Sequence, residues 1–157
     1  MTPALDLLSI LRRAGWFPNR RVDVQYTIPI LQENGSEVHE TALGFLREYA
    51  SLTLEFPHAR VAGVMDDVHI DPVLASLHVG PGWAEHYSER LGEPLCVVGE
   101  AYRGNMVMLV APSGKTVLGR DELLLFAGES PIEAFTKIIL DQVMPEIPEL
   151  PEDEEEP

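Results

Sequence analysis

The sequence predicts an α+β fold, a single domain in which a mostly antiparallel sheet packs against helices. Three apolar runs in the last third of the chain, separated by short turn signals, predict a C-terminal meander of strands. Apolar residues at helical spacing before and after these runs predict the helices. With 157 residues, 45% of them hydrophobic, the chain can bury one core without the help of disulfides.

The first element predicted is a helix at the N-terminus. Thr2 can cap this helix and Pro3 suits its first turn, while leucines repeat at helical spacing behind them. Gly15 can adopt the left-handed conformation that ends a helix. Trp16 and Phe17 follow directly, and we expect both rings to fold back onto the apolar side of the helix.

The middle of the chain predicts short strands and further helices. Residues 22–31 resemble a strand, in which Pro29 indicates an edge or an end. Residues 38–49 carry the apolar pattern of an amphipathic helix. Short strands are predicted at residues 52–56 and 68–70. A short helix capped by Asp71 and a second helix over residues 83–91, ended by a glycine, complete this region.

The strand meander and a last helix occupy the C-terminal part of the body. The apolar runs cover residues 94–102, 105–112 and 115–120, and LLLF at 123–126 continues the meander or opens a connection. Ser130, Pro131 and Glu133 then carry the signature of a capped helix that should extend to about Val143.

The charge of the chain is strongly negative and unevenly distributed. The formal net charge is −15, and the seven acids of residues 145–157 face no base in that segment. We expect a body at residues 1–144 and an acidic, disordered tail that is dispensable for folding. A protein of this charge is unsuited to binding nucleic acid directly, because such binding relies on basic side chains. An acidic surface favours solubility, and it also suits a basic partner.

Motifs for chemistry are weak throughout the sequence. A strand would place Asp67, His69 and Asp71 on one side, where they could hold a divalent metal, but Asp71 is already explained as a helix cap. SGKT at residues 113–116 lacks the preceding glycine of a phosphate-binding loop. We therefore expect no metal, no cofactor and no catalytic residue, and Cys96 should be a core side chain. No apolar run could span a membrane, and we expect no signal peptide.

The order of several segments resembles one known family. LRRAGWFPNRRVDV is followed by ALGFLREYASLTLEF, then by HIDP with a downstream tryptophan, then by LGEPLCVVGEAYRGNMVMLVAPSGKTVLG and LLLFAGESPIEAF. Together these segments resemble the third type of SUKH-domain immunity proteins, over about residues 5–142. The resemblance implies a SUKH-like α+β fold in a bacterial, cytoplasmic protein. It also implies tight binding to the C-terminal domain of a cognate polymorphic toxin, which is a nuclease, a nucleic-acid deaminase or another enzyme.

Function is therefore expected to lie in binding and not in catalysis. The leading hypothesis is inhibition of a cognate toxin by occlusion of its active surface. An intracellular SUKH-like scaffold or regulatory domain without a toxin partner is the alternative, and an enzyme with an unrecognised site is a third. The candidate partner-binding residues, chosen for local charge, are Asp66, Asp67, Asp71, Glu93 and Glu100. We expect the acidic segment of residues 66–100 to steer the encounter, so that neutralising Asp66 and Asp67 together slows binding, whereas Glu100 can pair with a buried arginine of the partner.

Overall fold

The computed structural model describes residues 6–151, which form one α+β domain with six helices and a six-stranded antiparallel sheet. The predicted fold class is confirmed. The helices are α1 (Leu7–Ala14), α2 (Thr27–Glu33), α3 (Glu40–Tyr49), α4 (Pro72–Val79), α5 (Trp83–Leu91) and α6 (Pro131–Ile139). The strands are β1 (Thr53–Pro57), β2 (Met65–His69), β3 (Cys96–Ala101), β4 (Met106–Val110), β5 (Thr116–Arg120) and β6 (Leu123–Gly128).

The strands lie in the sheet in the order in which they occur in the chain. Each strand pairs antiparallel with the next, and the predicted C-terminal meander forms β3 to β6. Gly99 lies at a register shift between β3 and β4, where a Cβ atom would be 2.5 Å from the carbonyl oxygen of His69. Glycine is therefore required for the close approach of β2 to β3.

Helices cover both faces of the sheet, since every residue of β3 and β4 is buried. One face contains a row of paired residues, His69, Glu100, Val107 and Gly119, that crosses four strands. A Cβ atom on Gly119 would lie 2.5 Å from the ring of Tyr87 in α5. We call this side of the sheet the α5 face.

The opposite side of the sheet is the α6 face. Asp66 lies three residues before His69 on β2 and points to this side, because successive side chains of a strand alternate between faces. Its strand partner Phe56 shares a cleft with Ile138 of α6. An aromatic cluster with ring centroids 5.0–5.9 Å apart joins α3 to α6 and consists of Phe45, Tyr49 and Phe135.

Residues 22–31 do not form the predicted strand. An irregular segment leads into α2, in which Thr27 and Leu31 are buried one helical turn apart. Pro29 lies in the first turn, where a backbone N–H has no partner within the helix, so the proline costs no hydrogen bond. The alternation of Val22 and Val24 indicated a strand, but the helical spacing of Thr27 and Leu31, which follow, determined the local structure.

The first helix ends as predicted. Gly15 is the C-terminal cap of α1, with φ of 111°. At the other end, Asp6 caps the helix by accepting a hydrogen bond from the N–H of Leu8 at 3.0 Å. The predicted contributions of Thr2 and Pro3 lie outside the described residues.

The segment after Gly15 joins α1 to the end of α3. Trp16 is partly buried against the core, and its Nε1–H donates to the carboxylate of Glu48 at 3.3 Å. Arg20 donates to the carbonyl oxygens of Glu48 and Ala50, at 2.5 and 2.7 Å. Phe17 is 56% exposed, so the prediction that both aromatic rings fold back is wrong for this residue.

The predicted caps of α4 and α6 are present. Asp71 accepts from the N–H of Leu74 at 3.1 Å, and Ser130 accepts from the N–H of Glu133 at the same distance. The helix α6 ends at Ile139, earlier than the predicted end, because the chain turns there into a left-handed residue at Asp141.

Cys96 is a core residue, as predicted. It is fully buried in β3, and burial raises the pKa of its thiol to about 12. The side chain is therefore a neutral thiol at physiological pH, with little of the thiolate that reactive cysteines need.

The predicted disorder of residues 145–157 is wrong for the start of this segment. Pro145 accepts a hydrogen bond from the N–H of Phe126 at 2.8 Å, and Ile147 donates one to Leu124 at 2.7 Å. These bonds add a short extended segment beside β6, at the edge of the sheet. The last six residues of the chain lie outside the described part.

Candidate functional site

The five acids chosen from the sequence do not form one cluster. Asp71 is occupied as the cap of α4. Glu93 holds the turn between β4 and β5, where it accepts from the hydroxyl of Ser113 at 2.8 Å. Asp66 and Asp67 are neighbours on β2 and therefore point to opposite faces of the sheet. A single approaching surface cannot meet both of their carboxylates in the same way.

Glu100 differs from the other four acids in combining burial with an ion pair. Its side chain is only 6% exposed, and it lies on the α5 face at the floor of a cleft. The carboxylate Oε2 is 2.9 Å from Nδ1 of His78 on α4, a side chain that is 56% exposed. This pair connects a buried carboxylate to the protein surface.

The cleft above this carboxylate, which we call the Glu100 cleft, is small and has polar walls. Its volume is about 100 Å³. Residues from α4, α5, the strands β4 and β5, the β3–β4 turn and the β5–β6 turn surround it. The lining residues besides Glu100 are His78, Val79, Trp83, Gly104, Asn105, Val107, Gly119, Arg120 and Asp121.

Two local features of the sequence build this cleft. Tyr102, Arg103 and Gly104 all have positive φ, which turns the chain between β3 and β4 back toward Glu100. The ring of Trp83 forms a wall and packs against Tyr87, with centroids 5.5 Å apart. The side chain at position 119 is absent because of the glycine, which leaves space for the Tyr87 ring.

Tyr87 also fixes the opposite rim of the Glu100 cleft. Its hydroxyl donates to the carbonyl oxygen of Asp121 at 2.6 Å, which holds the turn between β5 and β6. Burial, helped by the charge of Asp121, raises the pKa of Tyr87 to about 12. The hydroxyl is therefore a stable hydrogen-bond donor at neutral pH.

A second, shallower groove on the same side of the molecule is acidic. It shares Trp83 with the Glu100 cleft and runs along α5 to the C-terminal segment, with a volume of about 480 Å³. Glu89, Glu122 and Glu149 line it, and His86 is the basic side chain among its lining residues. We call it the acidic groove. In the sequence, residues 152–157 contain five further acids.

Arg90 holds the C-terminal segment beside the acidic groove. Its guanidinium is buried and donates to the carbonyl oxygens of Glu122 at 2.7 Å, Pro148 at 3.3 Å, and Ile147. This contact was not predictable from the sequence, because the acceptors are backbone groups that leave no side-chain signal. The only sequence feature that indicates docking of this segment is the presence of Ile147 and Leu150 among its acids.

A third cleft lies on the α6 face, around Asp66. Its volume is about 450 Å³, and Arg60, Tyr102, Arg103 and Asp141 are among its lining residues. Arg60 donates to Asp141 at 2.9 Å, which closes one side of the cleft with an ion pair. Its two arginines balance its two aspartates, so this cleft lacks the net negative charge of the acidic groove.

Within residues 6–151 no three His, Cys, Asp or Glu side chains are grouped so that they could hold a metal ion. None of the helices in the same range has the length and apolar character needed to cross a membrane.

The fold and the clefts define a single α+β domain with an antiparallel meander, helices on both faces and an acid-rich surface along α5. A model of the SUKH-3 immunity protein family matches residues 5–141, so the chain belongs to this family and the resemblance seen in the sequence is confirmed. Membership implies a protein partner in general. Neither the comparison with curated proteins nor that with solved structures gives a significant match.

Proposed function

We propose that this protein neutralises the toxic C-terminal domain of a cognate bacterial polymorphic toxin, by binding over its active surface in the cytoplasm. The observation that carries the proposal is the acid-rich surface along α5 in a chain that belongs to an immunity protein family. Glu89, Glu122 and Glu149 stand together there, with one imidazole beside them. Such a surface attracts a basic partner and repels an acidic one.

The charge of this surface favours one class of toxin over others. A nuclease or a nucleic-acid deaminase carries a basic cleft for the phosphate backbone of its substrate. The acidic groove presents fixed carboxylates to such a cleft, and the C-terminal segment held by Arg90 carries one of them, Glu149. Occlusion then follows from binding, without any change in the toxin's catalytic residues.

Co-expression tests this proposal directly. The toxin domain encoded beside this gene is expressed in bacteria with and without the protein, and growth is followed. We expect growth only when both are present, and a stable complex on size-exclusion chromatography. A neighbouring toxin domain that stays toxic and elutes separately from the folded protein would contradict the proposal and favour a scaffold role.

A further inference from the structure

We propose that the Glu100 cleft receives one arginine side chain of the partner. This inference deepens the proposed function and rests on it for the identity of the partner. The starting point is the burial of Glu100, since an ionised carboxylate removed from water is costly unless charged or polar partners compensate it. Among the described residues its one ion-pair partner within 4.0 Å is His78, and no Lys or Arg is that close.

The size of the cleft restricts its occupant. Pockets for small molecules usually measure roughly 300–1,000 Å³. The Glu100 cleft measures about 100 Å³, so it can admit the end of one side chain but not a metabolite. The carboxylate at its floor selects a cation. A basic side chain presented by a protein therefore fits both the volume and the charge.

The walls of the cleft favour arginine over lysine. A guanidinium is planar, stacks on aromatic rings and offers several donors in a fixed arrangement, whereas an ammonium is a compact, strongly hydrated charge. Trp83 provides an aromatic wall, and Asn105 and Asp121 are further polar residues in the lining of the cleft. One guanidinium can therefore stack on the ring of Trp83 and donate hydrogen bonds to more than one acceptor at the same time.

The other charged groups around the cleft decide how strongly it attracts a cation. His78 contacts the carboxylate, His69 is its cross-strand neighbour, and Asp121 and Arg120 stand at the rim. Arg120 is exposed and forms no ion pair within 4.0 Å among residues 6–151. It repels an incoming cation, so Arg120→Gln should tighten binding of the partner while Glu100→Gln weakens it.

The decisive experiment measures binding of the adjacent toxin domain to purified variants. Glu100→Gln keeps the shape of the side chain and removes its charge. Glu40→Gln is the matched control, because its side chain is 87% exposed on α3. We expect Glu100→Gln to raise the dissociation rate about thirtyfold or more with little change in association rate, as for a buried ion pair. Glu40→Gln should change the dissociation rate less than about twofold.

A probe that does not depend on the toxin separates the two proposals. N-acetyl-arginine amide is titrated into the isotopically labelled protein, and the indole N–H signal of Trp83 is followed by NMR. We expect a saturable shift that is lost with the uncharged citrulline analogue and lost in Glu100→Gln, with the fold of each variant checked by its amide spectrum. Glu40→Gln should keep the shift, because this exposed side chain on α3 is not part of the cleft lining.

The outcomes are distinct. Absence of a shift in the wild-type protein, or equal toxin dissociation from the Glu100→Gln and Glu40→Gln variants, would overturn the arginine cleft. If the toxin still binds in that case, the proposed function stands without an arginine bound in the Glu100 cleft. A saturable, charge-dependent shift in a protein that fails to rescue growth would instead support the cleft and contradict the toxin proposal.

Discussion

Arg90 donates through its buried guanidinium to the carbonyl oxygen of Ile147, 57 residues later in the chain. This contact attaches the C-terminal segment to α5. The same guanidinium binds the carbonyl oxygen of Glu122 at the turn before β6. One buried cation therefore joins a helix, a turn and the segment that extends the sheet.

Truncation after Met144 should therefore destabilise the protein. It removes the backbone bonds between residues 145–147 and β6, and leaves Arg90 with fewer acceptors in a buried position. We expect the free energy of unfolding in urea to fall by about 2–4 kcal/mol. Truncation after Pro151 is the control, because it retains every contact described for this segment. An unchanged stability in the Met144 truncation would restore the expectation that the whole tail is dispensable.

Gly119→Ala should be destabilising, although it adds only a methyl group. The new Cβ atom would lie 2.5 Å from the ring of Tyr87, which is buried and bonded to Asp121. We expect a loss of about 1–3 kcal/mol on overpacking of this contact, measured by urea unfolding. Gly44→Ala is the control, since no atom lies within 4 Å of its Cβ position in α3, and it should stabilise the protein by about 0.5–1 kcal/mol.

The sequence predicted an element well when the interaction that determines its structure joins residues close together in the chain. The cap of α6 was predictable because Ser130 and Glu133 act on each other within one turn. The strand predicted at residues 22–31 was wrong because two alternating valines precede a helix whose buried residues are few. The contact of Arg90 with backbone carbonyls leaves no pattern in the sequence.

The candidate site was predictable only as a set of charges. Glu100 was chosen for its charge, but its burial and its pairing with His78 depend on how α4 packs over β3. The grouping of Asp66 with Asp67 ignored the alternation of side chains along β2, which separates them onto two faces. The acids of the acidic groove come from three separate parts of the chain, so no short motif marks them.

Trp16→Ala should destabilise the protein, but by less than full burial of the ring would imply. The ring is partly buried and its indole N–H donates to Glu48. We expect a loss of about 1–3 kcal/mol in urea unfolding, below the roughly 3–5 kcal/mol of a fully buried tryptophan. Phe17→Ala, at a side chain that is 56% exposed, should cost under about 0.5 kcal/mol. Equal effects of the two changes would contradict this account of the segment after Gly15.

Stability should fall in alkali because of three tyrosines, together with the Cys96 thiol, whose pKa burial raises from 9.0 to about 12. Burial raises the pKa of Tyr49, Tyr87 and Tyr102 to about 12, from 10.0. The unfolded chain releases these protons at a lower pH than the folded protein does, so the contribution of the tyrosines is intact below about pH 10, that of Cys96 below about pH 9, and both are lost as the pH rises to about 12. Urea unfolding at pH 9 and 11 measures this loss, and Tyr102→Phe should reduce it. An identical loss in that variant would remove Tyr102 as a cause.

Attraction of the partner over a distance should depend on the acidic groove. The acidic groove presents the exposed carboxylates of Glu89, Glu122 and Glu149, whereas Asp66 is only 9% exposed on the α6 face. Exposed charges act mainly on the association rate, and salt screens them. Replacing the three glutamates with glutamine should therefore slow association with the toxin domain about tenfold at low salt and flatten its dependence on salt.

Stopped-flow association at several ionic strengths measures this effect, with Asp66→Asn/Asp67→Asn as the comparison. We expect the double variant to change the rate less than the triple variant does, because its two carboxylates lie on opposite faces and one of them is buried. At about 1 M salt, where the screening length is about 3 Å, the three proteins should associate at similar rates. Equal rates and equal salt slopes at low ionic strength would mean that the acidic groove serves solubility and that recognition depends on other surfaces.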